Sequence, residues 1–286
     1  MTQPVVHGVS SGAQSVAVSA YRGGVLRRVA DWLADEVPVA LVFNGISHAV
    51  MLVTPNDLEE FALGFGLTEG LLVDAAELYG VEVLPTCDGL EIQMEVSAAC
   101  AFRLKERRRN LAGRTGCGLC GTESLEHVRR PLPVFKENEC VWVSPGALAR
   151  ALQSMREAQV LQQATGAMHA AAWCDPQGKA QIVREDVGRH NALDKLAGAM
   201  VRASVDPVLG FVCVTSRASF EMVQKTAMIG ASMLVAVSAP TAHAVRVASD
   251  CGLALAGFAR QEDFVAYTDA QRFGFPEDAA GLSCLH

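Results

Sequence analysis

Apolar residues are spaced along this chain in two different rhythms, and the change between them divides it. In the first rhythm, Val39-Ala-Leu-Val-Phe43 and Ile46 to Val53 are strand-length apolar runs separated by Asn44-Gly45. Both turn residues accept positive φ, so the spacing predicts a β-hairpin. Thr54-Pro-Asn-Asp57 then opens a helix with Leu58, Phe61, Ala62 and Phe65 on one face and Gly70 closing it. Tyr79 to Leu84 and Leu90 to Val96 read as strands. From Ser144 a second rhythm begins. Ser144-Pro145 starts a helix carrying Leu148, Leu152 and Met155, and Ala170–Cys174 and Lys179–Arg184 flank the turn Asp175-Pro-Gln-Gly178. Helix Val187–Arg202 follows, then strand Leu209–Thr215, helix Ala218–Ala231, strand Met233–Ser238, helix Thr241–Ser249, and strands Leu253–Ala259 and Phe264–Thr268. Helices alternating with short apolar strands predict an α/β unit whose sheet is covered on both faces and parallel in its later part.

The stretches Val37–Asn56 and Thr226–Val245 contain no Asp, Glu, Lys or Arg. A hairpin signal breaks the first, and Gly230, Ser232, Ser238 and Pro240 break the second, so neither is expected to cross a membrane. The first residues, Met1 to Val18, are mixed and polar, and residues 1–20 are expected to be a flexible tail. The expected organisation continues with a smaller mixed α+β unit over 21–110, a flexible cysteine-bearing connection over 111–143, and the larger unit over 144–286.

Composition narrows the setting. The chain has 286 residues, half of them apolar, and a net charge of −7. A chain of this length buries enough surface to fold without a metal or disulfide, and an acidic one is a poor non-specific partner for nucleic acid. Nine scattered cysteines, an odd number, argue for a reducing, cytoplasmic setting rather than a secreted disulfide framework. Cys213 and Cys251 lie in apolar runs and read as core residues.

The chemistry concentrates where the rhythm changes. Arg103, Lys105, Arg107, Arg108, Arg109 and Arg114 crowd against Glu106, and Gly116-Cys117-Gly-Leu-Cys120-Gly121 follows. A CxxC pair has three common uses. Structural zinc needs two further ligands, for which His127, Cys87, Cys100 and Cys140 are candidates without partner spacing. A thioredoxin-like redox pair follows a strand. A carrier thiol needs an exposed thiolate, which the arginines and a helix start at Thr122-Glu123 favour. An unreactive pair beside a solvated arginine run is the plain alternative, and the residues alone leave all of these open.

The chain resembles the formate dehydrogenase accessory sulfurtransferases, the FdhD family. The matching residues are Asn44-Gly45, Thr54 to Gly70, Thr115-Gly-Cys-Gly-Leu-Cys-Gly121, Thr165-Gly-Ala-Met-His169, Glu185-Asp-Val-Gly-Arg-His-Asn-Ala-Leu-Asp-Lys195, Thr215-Ser-Arg217 and Ser238-Ala-Pro-Thr241. The resemblance implies a carrier that takes persulfide sulfur from a cysteine desulfurase. It passes that sulfur to the molybdenum or tungsten bis-guanine-dinucleotide cofactor of formate dehydrogenase. It also implies that Cys117 bears the persulfide, with Cys120 beside it, and that Phe258-Ala259-Arg260-Gln261-Glu262-Asp263 holds the cofactor. It implies a cytidine-deaminase-like, three-layer carboxy-terminal unit, although the H-x-E and P-C-x-x-C deaminase signature is absent. Molybdenum bis(molybdopterin guanine dinucleotide) is then a bound substrate, and no permanently held metal is expected. The expected partners are a cysteine desulfurase, formate dehydrogenase and a second copy of the chain. The rival is a cofactor-binding chaperone whose CxxC is a redox latch or metal ligand and moves no sulfur.

The alternating half supports a nucleotide site from its own residues. Ligands sit at the carboxyl ends of parallel strands, and three such ends are polar: Thr215-Ser216-Arg217, Ser238 to Thr241, and Arg260 to Asp263. The first two run into helices whose free N–H groups suit phosphate. Ordinary N-capping explains each loop singly; three on one edge make a cleft. Asp186, Arg189, His190 and Asp194 stay ambiguous, since His190 and Asp194 have the spacing to pair on a helix surface. His169 reads equally as a structural histidine.

Overall fold

The computed structural model describes residues 12–112, 131–136 and 140–275. It begins with strands β1 (Ala13–Arg22) and β2 (Val25–Ala34), which form a sheet of their own. Residues 13–20, expected in a flexible tail, are thus strand. They lack the long apolar run that marks a buried strand, because nearly every position of the pair is at least partly exposed.

Next come β3 (Val37–Phe43), β4 (Ile46–Val53), α1 (Leu58–Thr68), β5 (Leu78–Thr86), β6 (Gly89–Val96) and α2 (Ala98–Ala112). The four strands lie in the order β4-β3-β6-β5. The expected hairpin forms, with Asn44 at φ 45° and Gly45 at φ 75°, as a two-residue turn between twisted strands requires. Asn44 also fixes its neighbour: its side chain donates to Val96 O and accepts from Val96 N–H, at 2.9 and 2.8 Å. Val39, Leu41, Phe43, Phe61, Ile92, Met94 and Cys100 form the core of this unit. Arg103, Lys105, Arg107, Arg108 and Arg109, read as a patch before a flexible connection, lie on helix α2, whose start Ser97 supports by accepting from Cys100 N–H, while Arg114 lies outside the described residues. Five-fold crowding of cations hid the helix, since like charges on successive turns oppose it.

The larger unit contains α3 (Pro145–Ala158), α4 (Val160–Thr165), β7 (His169–Cys174), β8 (Ala180–Asp186), α5 (Arg189–Arg202), β9 (Phe211–Val214), α6 (Phe220–Met228), β10 (Met233–Ala236), α7 (Ala242–Cys251), β11 (Ala254–Arg260) and β12 (Asp263–Thr268). Its six strands run in the order β12-β11-β10-β9-β7-β8. β9, β10 and β11 are parallel, as the alternation predicts, while β12, β7 and β8 pair antiparallel. One face packs Leu193, Leu196, Met222, Val223, Ala244 and Ala248 of α5, α6 and α7. The other packs Leu148, Ala151, Leu152 and Met155 of α3. Cys213 and Cys251 are buried in these cores.

Part of the connection expected to be flexible over 111–143 is fixed. Phe135 N–H donates to Cys251 O at 2.9 Å. Val141 and Val143 are core residues. Arg272, almost fully buried, donates to Val141 O at 3.1 Å and to Ser232 Oγ at 2.7 Å.

The two units meet across α1 and α5. A Cβ on Gly64 would strike the Asp194 carbonyl, and one on Gly198 would strike the Glu60 carbonyl, so only glycine permits this helix approach. Two buried ion pairs lie beside the crossing. Lys195 Nζ bonds Asp186 Oδ2 at 2.8 Å, Thr54 O at 2.9 Å and Asn56 Oδ1 at 2.8 Å. Lys225 Nζ bonds both Asp194 oxygens, at 2.8 and 3.0 Å, and Glu69 at 2.7 Å.

Candidate functional site

Three strand ends are stitched together along the carboxyl edge of the six-stranded sheet. Thr215 follows β9; its N–H donates to Ala170 O at 3.0 Å and its Oγ1 accepts from Ala170 N–H at 2.9 Å. Ser238, following β10, donates its N–H to Ser216 O at 3.4 Å, and Thr241 N–H donates to Ala218 O at 3.0 Å. Ala218 and Pro240 form a parallel bridge, and Phe258 N–H donates to Ser238 O at 3.3 Å. The segments Thr215–Arg217, Ser238–Thr241 and Phe258–Asp263 therefore share one edge, held by main-chain bonds rather than by side chains.

This scheme leaves some of the expected site residues free and occupies others. Arg217, Phe258, Arg260, Gln261, Glu262 and Asp263 are exposed. Arg260 pairs with Asp263 across a two-residue turn, with Gln261 at φ 55° and Phe258 at φ 52°. Positive φ at a bulky residue is uncommon and strained. Ala259 instead points into the core, so only its main chain faces this edge. Ser216 is buried and its hydroxyl donates to Arg217 O at 2.9 Å. Thr241 Oγ1 accepts from Ala244 N–H at 3.2 Å, ordinary capping of α7. Cys117 and Cys120 lie outside the described residues.

Helix α6 has no side-chain cap from Ser219, and Glu221 stands in its first turn. That carboxylate meets His190 Nε2 at 2.9 Å, and the bond from His190 holds Glu221 below the usual carboxylate range. The i, i+4 spacing of His190 and Asp194 thus carries no contact between them: Asp194 is buried under α1 and bonded to Lys225 and Thr68. Sequence spacing sees neighbours on one helix; it misses Glu221, which comes from the next.

His169 opens β7 directly opposite Asp186, the last residue of β8. Burial and the nearby Arg189 and His190 charges lower its pKa, with Asp186 opposing. Asp186 is the fixed point of this end. It accepts from Thr54 N–H at 3.0 Å, Gly188 N–H at 2.8 Å and Asn191 Nδ2 at 2.9 Å, besides binding Lys195. His169, Arg189, His190 and Glu221 therefore stand at the same end of the sheet as the three polar strand ends. Fixed dipoles and cations of this kind suit a phosphate-bearing ligand, with the exposed Arg217 and Arg260 able to add charge-assisted bonds.

Residues 34–274 match the model of the FdhD/NarQ family. The chain belongs to this family. It is 57% identical to the sulfur carrier protein FdhD of Variovorax paradoxus, over 87% of this chain and 89% of the relative. It is 52% identical to the protein of the same name from Cupriavidus necator, over 95% and 96% of the two chains. A formate dehydrogenase accessory protein from Desulfotalea psychrophila has the same fold in its crystal structure. The TM-score is 0.71 over 92% of this chain and 99% of that one, at 23% identity. The family model starts at the end of the β1–β2 hairpin and takes in the whole strand edge. No helix among the described residues is long and apolar enough to cross a membrane.

Proposed function

We propose that the chain is a cytoplasmic sulfur carrier in formate dehydrogenase maturation, accepting persulfide sulfur from a cysteine desulfurase and delivering it to a guanine-dinucleotide form of the molybdenum or tungsten cofactor. The observation that carries the cofactor half is the strand edge, where Thr215–Arg217, Ser238–Thr241 and Phe258–Asp263 meet beside His169, Arg189 and His190. The names of the family relatives support the sulfur half. The three-layer arrangement is in keeping with a deaminase-like ancestry for the larger unit, with the catalytic signature absent.

In loading, the Cys117 thiolate attacks the terminal sulfur of the desulfurase persulfide. The S–S bond there breaks, the desulfurase cysteine leaves as thiolate, and Cys117 carries the persulfide. In delivery, the Cys120 thiolate attacks the inner sulfur of Cys117 and expels hydrosulfide toward the cofactor. The Cys117–Cys120 disulfide left behind is reduced by a cellular dithiol. The bound cofactor is cargo: the strand edge holds its pyrophosphates and purines, and its metal receives the sulfur.

Incubation with a cysteine desulfurase and cysteine, followed by intact mass, tests loading. The wild-type chain gains sulfur that dithiothreitol removes, and Cys117→Ala gains none while keeping its melting temperature. Equal loading of Cys117→Ala defeats the carrier reading and leaves a cofactor-binding chaperone.

A further inference from the structure

Delivery of sulfur to the cargo metal needs a proton as well as a thiolate. When hydrosulfide replaces an oxide ligand there, one metal–sulfur bond forms and one metal–oxygen bond breaks. The hydrogen of hydrosulfide and one further proton carry the oxygen away as water, and no electrons are exchanged with the metal. Oxide is a poor leaving group until it is protonated, so a positioned donor raises the rate by about 100-fold or more.

The strand order shows where such a donor would stand. Phe258–Asp263 lies at the end of β11 and Thr215–Arg217 follows β9, with β7 beyond it. Two strand spacings, roughly 10 Å, separate the two segments. A ligand with its purine at the β11 end can lay its pyrophosphate along this edge and bring its reacting end toward β9 and β7. His169 opens β7 there, opposite Asp186 of β8, with Arg189 and His190 in the first turn of α5 and Glu221 in that of α6. Asp186 is committed to Lys195 and to the donors that fix it. Burial, Arg189 and His190 hold His169 toward its neutral form. His190 differs from both. Its Nε2 lies 2.9 Å from Glu221 Oε2, and 28% of its side chain is exposed. Glu221 stays ionised beside it, and Arg189 and Lys225 add to that effect. A carboxylate only accepts, so Nε2 carries a proton and Nδ1 is the nitrogen that gains and loses one.

We infer that His190, oriented by Glu221, is the proton donor of sulfur delivery, giving its Nδ1 proton to the oxygen that leaves the cargo metal. The inference rests on the carrier reading and adds a residue to its second half. Glu221 acts only through His190 and is a positioning residue.

Single-turnover transfer tests this. The full chain, loaded on Cys117 with labelled sulfur, is mixed with sulfur-free molybdenum bis(molybdopterin guanine dinucleotide), and label on the cofactor is followed from pH 5.5 to 8.5. Thiolate attack quickens as pH rises, so delivery that slows across the range where imidazole titrates marks a proton donor. His190→Gln and His190→Ala are expected to load as wild type does, to deliver about 100-fold more slowly or worse, and to lose that falling limb. Free imidazole in the buffer restores delivery by His190→Ala, which it would not do for a residue that only supports the fold. Both variants delivering at the wild-type rate, or delivering slowly with the wild-type pH profile and no rescue by imidazole, overturns the proposal while the carrier reading stands. A wild-type chain that does not load overturns both.

Discussion

Replacing Lys195 by Met removes the cation at the centre of the contact between the two units. Lys195 is fully buried, and so is its partner Asp186. The methionine keeps the stem's volume but leaves Asp186 charged, with Thr54 N–H, Gly188 N–H and Asn191 as its remaining donors. Thr54 O and Asn56 Oδ1 lose their donor at the same time. Breaking a buried pair from one side costs about 3–5 kcal/mol, because the remaining charge has no counter-ion. Three amide donors already solvate Asp186, which puts the expected loss near the lower end, at about 3 kcal/mol. That is a large share of a total stability of about 5–15 kcal/mol. With a urea slope of about 3 kcal/mol/M, the midpoint falls by about 1 M. Arg202→Ala is the control. Arg202 reaches Glu59 at 2.7 Å with both side chains more than half exposed, and such a pair contributes only about 0–1 kcal/mol. Urea unfolding followed by far-UV circular dichroism compares the two. If Lys195→Met costs no more than Arg202→Ala, the buried pair is not what couples α1, α5 and the end of β8.

Three further outcomes are expected. Guanosine diphosphate is expected to raise the melting temperature and adenosine diphosphate much less, since in the proposed cofactor site the exposed carboxylates of Glu262 and Asp263 offer acceptors for the guanine N1–H and amino groups that adenine does not present in the same arrangement; Arg260→Ala is expected to weaken that binding about tenfold without changing persulfide loading, and calorimetry showing equal affinity for both nucleotides removes the cleft assignment. Replacing Arg107, Arg108 and Arg109 by Ser slows sulfur loading several-fold at low salt and less at high salt, and rates unchanged at both reduce the stretch to a solvated surface. His169 titrates below its ordinary value of about 6.5, so its contribution to stability is complete above that value and is lost as pH falls through the lowered folded pKa; the stability–pH curve of His169→Gln is flatter in that window, and an NMR titration placing His169 at or above the ordinary value contradicts the burial seen at the start of β7.

Much of the fold was legible along the chain because its signals are local. Asn44-Gly45 needs only its own positive φ to turn, and the alternation from Leu209 to Ala259 needs only the apolar runs that a doubly covered sheet requires. The strand ends were legible too, since polar residues directly after buried strands must lie at one edge. The β1–β2 arm was not, because a strand exposed on both faces carries no burial pattern; nor was α2, whose arginines mask its periodicity. Only the tertiary structure could show that His190 meets Glu221 rather than Asp194, and that Asp194 is buried under α1 against Lys225. It also shows Ala259 turned into the core in the middle of the Phe258–Asp263 stretch. Sequence settles which residues are neighbours along one element; partners from different elements are fixed by how the helices cross, and here two glycines set that crossing.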